Sequence, residues 1–359
     1  MNLLKTKRGI ALVLVISSIS LLSLLMVDFT FNTQVNLQIT KNFQNALKAR
    51  ALARSGIYFG MLELKVHQTL KDMPMLKQIP GFQPTMLDLI WQFGFIYPPM
   101  PGKSATFGAQ KAAVELVSKS KIDGNISVRI QDEGAKINLN DLGDPKLQKA
   151  TAQQLETLFE QRKSTDEDFF RNYRDVRFRE LIHNIVDWID KDSERVDGGS
   201  EESIYSRLEP AYKHKNAPLD TTSELSLIDG FQDSTIFNLL LPLITVYSTG
   251  GINVNTADAT TLKSMSIELT DEDVAKIIEQ RQKVPFKNTQ AFEDFCKKTL
   301  LKSATFNQDP KIAITTTTRI FSLESTAEVH GALQTIRAVV DTKKIRSDGM
   351  PQIVYWNMS

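Results

Sequence analysis

Apolar residues follow three regimes along this chain, and each predicts a different element. The first is a run from Ile10 to Val27, I-A-L-V-L-V-I-S-S-I-S-L-L-S-L-L-M-V, 18 residues without a charge. As a helix rising 1.5 Å per residue it spans roughly 27 Å, enough to cross a hydrocarbon core. Ile39, Phe43, Ala46, Ala53, Ile57 and Met61 continue at near-helical spacing, with Arg50 interrupting. Ser55-Gly56 and Gly60 are the first weak points, and Pro74 is the first firm stop. The pattern predicts one helix over 10–70, its first half in a membrane and its second half packed on a globular body.

The second regime is alternation. Ile126, Val128 and Ile130 alternate with Ser127, Arg129 and Gln131, and after a turn at Asp132-Glu133-Gly134, Ile137 and Leu139 alternate with polar residues. A matching pair lies near the C-terminus. Phe321, Leu323, Ser325, Ala327 and Val329 lead to a turn at His330-Gly331, and Ile336, Ala338 and Val340 follow. Gln352 to Trp356 reads as an edge strand. The segment 74–104, with Pro80, Gly81, Pro84, Trp91, Phe93, Phe95, Tyr97, Pro98, Pro99, Pro101 and Gly102, reads as an irregular ordered loop, because its aromatic side chains need something to pack on.

The third regime, helical, fills 143–314. Phe178, Leu181, Ile182, Ile185, Val186 and Ile189 form an apolar stripe, Thr221 and Glu224 a capping box before Leu225, and Val274, Ile277 and Ile278 begin another helix. Pro218-Leu219, Leu225 and Ile228 recur 67 residues later as Pro285-Phe286, Phe292 and Phe295, which predicts two related helical units side by side. The expected fold class is α+β: a long N-terminal helix on a small antiparallel sheet, with an all-helical domain inserted in the sheet. The expected division is a leader at 1–9, the helix at 10–70, an α/β body from 71–142 and 315–359, and the insert at 143–314, its second unit at about 250–305 resembling a helix–hairpin–helix.

Composition removes several functional classes. The 359 residues carry 43 Lys plus Arg against 42 Asp plus Glu, a net charge of +1, which argues against a dedicated nucleic-acid binder. Hydrophobic residues at 42% and charged residues at 24% exclude wholesale disorder. Cys296 is the single cysteine, so an intramolecular disulfide, an iron–sulfur cluster and a multi-cysteine zinc site are out. The four histidines stand far apart in sequence, against a His-rich metalloenzyme. No nucleophile elbow, H-E-x-x-H, P-loop or dinucleotide fingerprint occurs, and Cys296 reads as a core residue; an enzyme is not expected.

Lys5, Lys7 and Arg8 precede the apolar run with no acid among them, so the N-terminus is expected to stay cytoplasmic and the rest of the chain to be sent outward across the membrane. No small-x-small cleavage site follows the run, unlike a secretory signal peptide. Gly9 sits between the basic flank and the run. This resembles a type IV prepilin leader, which prepilin peptidase cuts between residues equivalent to Gly9 and Ile10, leaving the apolar helix in place. Two residues depart from that pattern: Ile10 stands where Phe is usual, and Leu14 where Glu is usual. The usual Glu neutralises a neighbour's N-terminal ammonium inside the bilayer, where a lone charge is costly; a subunit with no neighbour above it tolerates Leu14.

Several ordered blocks together resemble the general secretion pathway protein K family, the minor pseudopilin of type II secretion systems. They are K-R-G-I-A-L-V-L, A-K-I-N-L-N-D-L at 135–142, L-I-H-N-I-V-D-W-I-D-K-D at 181–192, E-E-S-I-Y-S at 201–206, K-N-A-P-L-D-T-T-S-E-L at 215–225, I-N-V-N-T-A-D-A-T-T-L at 252–262, and F-S-L-E-S-T-A-E-V-H-G at 321–331. The resemblance implies a pseudopilin fold with a helical insert. It also implies a single-pass inner-membrane location, N-terminal methylation, and a place at the tip of a periplasmic pseudopilus. The partners it implies are other minor pseudopilins, prepilin peptidase and the inner-membrane assembly platform.

Two clusters carry candidate chemistry. Asp187, Asp190, Asp192, Glu194, Asp197, Glu201 and Glu202 crowd around Gly198-Gly199. Such a loop suits calcium, which takes six to eight oxygen ligands, and it equally suits a solvated acidic loop partly neutralised by Lys191 and Arg195. The family resemblance, whose members can bind calcium in this domain, favours the ion, with Asp190, Asp192, Asp197, Glu201 and Glu202 as candidate ligands. The second cluster is I-N-V-N-T-A-D-A-T-T-L with its following helix. Its connecting stretch, S-M-S-I-E-L-T-D-E-D, has four acids and no glycine, unlike a phosphate-gripping hairpin, so a packing unit with Asn255 as N-cap is expected and nucleic acid is not. The alternatives are an inner-membrane-anchored DNA-uptake protein using that module, and a membrane-anchored periplasmic binding protein.

Overall fold

One helix, α1, runs unbroken from Leu3 to Asp72, 70 residues, and ends where Met73 precedes Pro74. The computed structural model describes residues 3–79, 84–92, 94–99, 115, 117–207, 209–247, 249–301 and 312–358, with the side chains of α1 from Ile10 onward. Met1 and Asn2 of the leader and Pro80, Gly81, Phe93, Pro101 and Gly102 of the aromatic segment lie outside the described residues. The glycines that look like weak points in α1 are its closest approach to the sheet. Ala49, Ala53, Ile57, Met61 and Leu64 are fully buried on this face. A Cβ on Gly56 would sit 2.2 Å from Ser325 Oγ, and one on Gly60 would sit 2.7 Å from Leu323 Cδ2. Only a bare backbone fits there.

The sheet beneath α1 is antiparallel, in the order β1 (Phe95–Tyr97), β2 (Asn125–Asp132), β7 (Ile320–Val329), β8 (Ala332–Ile345), β9 (Pro351–Met358). Along β2 the expected alternation holds: Ile126, Val128 and Ile130 face the core. His330 and Gly331, at φ of 48° and 84°, make the tight turn between β7 and β8. Trp91 and Tyr97 of the aromatic segment are buried, as the packing argument requires.

Ile137 and Leu139 do not return to this sheet, contrary to expectation. Glu133–Ala135 turns as a short 3-10 helix, and β3 (Ile137–Asn138) pairs in parallel with β4 (Ile244–Thr245) within the helical domain, in whose core Leu139 and Leu142 lie. The chain therefore leaves the body at Asp132 rather than at 142, and returns at Ile320 rather than at 315. Alternation alone cannot say which partner a two-residue strand takes. Asp132 is buried at this junction and accepts hydrogen bonds from Gly134 N, Asn253 Nδ2 and Thr256 Oγ1 at 2.6–2.8 Å and from Thr318 Oγ1. It ties the insert to the strand from which the insert departs.

The helical domain contains two copies of one device. β5 (Ile252–Asn253) pairs in parallel with β6 (Ile314–Thr315), as β3 does with β4. Asn140 donates to the carbonyls of Leu219 and Val246 and accepts from Leu219 N, at 2.7–2.9 Å. Asn255 donates to the carbonyls of Phe286 and Thr316 and accepts from Phe286 N, at 2.8–3.2 Å. Ile-Asn-x-Asn, Pro-Leu or Pro-Phe, and Ile-Thr thus recur in the same roles. Asn255 is consequently no N-cap; Asp258 caps the Ala259–Ser264 helix. The capping box at Thr221 and Glu224 forms as expected, although it opens a 3-10 turn, Thr222–Leu227. The stripe on the Phe178–Ile189 helix is buried at Phe178, Ile182, Ile185, Val186 and Ile189.

Candidate functional site

Two regions stand out by what they leave unsatisfied: the uncovered half of α1 and the acidic loop after the Phe178–Ile189 helix. From Ile10 to Val27 every residue of α1 is exposed, with Ile10, Leu14 and Val27 at 62–68%. Such a surface is unfavourable in water and suits lipid or other apolar helices. Among the described residues this is the one helix long and apolar enough to cross a membrane.

The acidic site is built by a loop that doubles back. Asp187 lies on the last turn of the Phe178–Ile189 helix and Asp190 follows directly as its C-cap. Gly198 and Gly199, at φ of 89° and 99°, reverse the chain, and a bridge between Glu194 and Ser200 closes the reversal. Glu201 N then reaches Ser193 O. The result brings one carboxylate oxygen each of Asp187, Asp190 and Glu201 within 4.8 Å of one another. Asp187 and Glu201 are 3% and 1% exposed, so these like charges are held together away from water.

Their electrostatics disfavour having all three ionised at once. Desolvation, then Asp190, Asp187 and Asp192, push the Glu201 carboxyl up to about 7. Burial likewise raises Asp190 and Asp187. Both Glu201 oxygens, Asp190 Oδ1 and the nearby Asn216 Oδ1 are buried without a hydrogen-bond partner. Asp187 accepts from Val196 N at 2.9 Å, and Arg195 Nε stands 3.7 Å away. His214 Nε2 is 3.3 Å from Glu201 Oε2 but is not aligned for a hydrogen bond. The three carboxylates, one oxygen of each within 4.8 Å of the others and those of Glu201 without a hydrogen-bond partner, are a hard-oxygen donor set that fits a divalent cation of the calcium class.

The expected ligands divide. Asp190 and Glu201 meet. Asp192 Oδ1 accepts from Glu194 N instead, Asp197 pairs with His183 at 2.8 Å, and Glu202 is exposed on its own short helix. Asp187, part of the acidic run but outside the candidate set, completes the group. D-W-I-D spacing, which puts both aspartates on one helix end, was the available signal. Asn216 carried none beyond its position in the K-N-A-P block; its φ of 47° aims it, and its Nδ2 donates to the Asp192 carbonyl.

The helix–hairpin–helix-like unit uses its acids internally: Asp271 pairs with Lys263 and Asp273 closes a capping box with Thr270. Cys296 is buried, and desolvation pushes its thiol up to about 12, the state of a core residue.

Comparison with known proteins converges on one family. Two sequence profiles, both described as type II secretion system (T2SS) protein K, match residues 135–249 and 252–315, so their division falls between the two Ile-Asn-x-Asn units. A type II secretion system protein K of Klebsiella pneumoniae is 29% identical over 123 residues, 33% of this chain. The match spans 37% of that relative's length. The crystal structure of the GspK-GspI-GspJ complex from the enterotoxigenic Escherichia coli type 2 secretion system contains a chain that superposes with a TM-score of 0.60 at 18% identity, covering 90% of this chain and 99% of that one, a likeness of fold.

Proposed function

Since this chain belongs to the type II secretion system protein K family, we propose that it is the minor pseudopilin that starts and caps a periplasmic pseudopilus, anchored by α1 in the inner membrane. The observation that carries this reading is the continuity of α1. A wholly exposed apolar half runs without a break into a half that grips the sheet, so whatever bundles the membrane half also positions the head. The Lys5–Arg8 flank holds the precursor in the cytoplasm, prepilin peptidase cuts between Gly9 and Ile10, and the new N-terminus is methylated. The retained helix then packs against those of partner pseudopilins, of which the neighbouring structure holds two, GspI and GspJ. The assembly platform extends the bundle from below. Leu14, where a shaft subunit needs Glu, and the bulk of the helical insert both favour a subunit with nothing above it.

Calcium belongs to the same proposal. Asp187, Asp190 and Glu201 would hold it, and the ion would neutralise their charge and fasten the 190–201 loop to the helix end.

The test is the mature N-terminus. Mass spectrometry of the protein from membranes should find Ile10 first, and Gly9→Ala should leave the leader attached and secretion blocked. A chain that begins with Met1 in a secreting cell would overturn the reading.

A further inference from the structure

The sheet of the body is wider than the helix that covers it. Five strands at about 4.8 Å spacing span ~20 Å, whereas a helix with its side chains is about 10–12 Å across. α1 lies over β2, β7 and β8. On the β1 side the remaining width is filled: Trp91 packs edge-on against Phe321 and Phe95 against Phe59, with ring centroids 5.1 and 4.2 Å apart. On the β9 side α1 makes only a marginal contact: Ile353 and Met358 are half-buried against the core, and Trp356 is left 38% exposed. Ile336 pairs with Met358 and Ala338 with Trp356; Ile336 and Ala338 are buried on the α1 side, so Met358 and Trp356 project from that same face. The outcome is a groove of about 360 Å³, with Arg50, Arg54 and Tyr58 of α1 on one wall and Ile353, Trp356 and Met358 of β9 on the other.

Charge and periodicity define what fits. Between residues 29 and 62 α1 carries Lys41, Lys48, Arg50 and Arg54 and no acid. Lys48 is paired with Asp123, but no carboxylate among the described residues reaches Arg50 or Arg54; Arg54 rests on the Tyr58 ring, 5.7 Å from its centroid. Phe43, Leu47, Arg50 and Arg54 stand at helical spacings of four, three and four, so they share one face, and Phe43 and Leu47 are 64% and 48% exposed. An apolar stripe nearer the membrane thus runs directly into a cationic, aromatic groove. β9 itself carries no charge, unlike edge strands that are protected from partners.

We propose that this groove seats one helix of a partner pseudopilin, lying along α1 with its apolar residues on Phe43, Leu47 and Trp356 and its carboxylates on Arg50 and Arg54. The proposal rests on the pseudopilin reading and adds the surface and charge by which the partner is chosen.

The test places a photo-reactive benzoylphenylalanine at Leu47 or at Trp356 of the full-length chain in membranes, co-expressed with its partner pseudopilins. Both positions should cross-link the same partner, on one acid-bearing helix. Arg50→Glu with Arg54→Glu should cut the Trp356 yield about tenfold, and reversing the facing carboxylates to Lys should restore it. Adducts from Leu47 to a partner, with only lipid, a second copy of this chain or nothing from Trp356, would overturn the groove and leave the pseudopilin reading standing. No partner at either position would sink both. An unchanged yield in the double Arg variant, or no rescue by the reversed partner, would overturn the charge pairing.

Discussion

Glu201 has the largest conflict between its charge and its surroundings in the acidic loop, and it sets the behaviour of that loop. Without a cation the folded chain keeps a proton on Glu201 up to about pH 7, whereas the unfolded chain releases it near 4.3. The folded state then binds more protons than the unfolded one, so raising the pH through that window costs stability. The melting temperature of the chelated protein is therefore expected to fall between pH 5 and about pH 7. Calcium at a hundredfold its Kd should add about 2.7 kcal/mol and flatten this slope. Glu201→Gln should abolish the calcium shift without lowering the calcium-free melting temperature; a retained shift would argue against the site. At Gly56 the conflict is steric. Gly56→Leu drives a side chain into Ser325 and Val128 and should cost about 2 kcal/mol, read as easier proteolysis of the body. Asp190 and Glu201 could be singled out from sequence because acids cluster visibly. Asp187 lies outside the candidate set because the loop reversal, and not proximity in sequence, selects which carboxylates meet; Asp197 pairs with His183.

At the scale of elements, long periodic stretches were legible and short ones were not. α1, the Phe178–Ile189 helix and the β7–β8 hairpin each repeat their pattern often enough to fix both type and face. β3 has two residues, and a two-residue alternation carries no information about its partner. The apolar echo between Pro218-Leu219 and Pro285-Phe286 pointed to duplication, but the polar residues that make it work, Asn140 and Asn255, do not appear in a hydrophobic pattern. Each satisfies three backbone groups from two distant segments. Asn140→Ala or Asn255→Ala should strand those groups and cost about 3 kcal/mol, seen as a lower urea midpoint with the far-ultraviolet spectrum at zero denaturant unchanged. A loss below about 0.5 kcal/mol in both would mean the asparagines merely accompany the fold.

At the scale of the molecule, the exposed apolar end and the head are joined by one unbroken helix. Leu14→Glu adds a carboxylate to the exposed apolar surface of α1, and on the proposed tip reading it would have no neighbour's ammonium to meet. Membrane-extracted yield should drop severalfold relative to wild type, while the same residue is required in shaft subunits; an unaffected yield would argue that Leu14 does have such a neighbour. The order of the blocks made the family legible from sequence, whereas the exact seams of the insert were hidden, because the strands that hold it are separated by nearly the whole helical domain.

Those seams have an evolutionary consequence. Asp132 and Phe321 face each other across β2 and β7, so the insert enters and leaves through neighbouring rungs of one ladder. Splicing residues 131 and 322 together through Asn-Gly should therefore yield a short hairpin and a headless stem that keeps the whole of α1. Heads could be traded between such stems by recombination at a single doorway, which lets the helical domain diversify while the stem stays fixed.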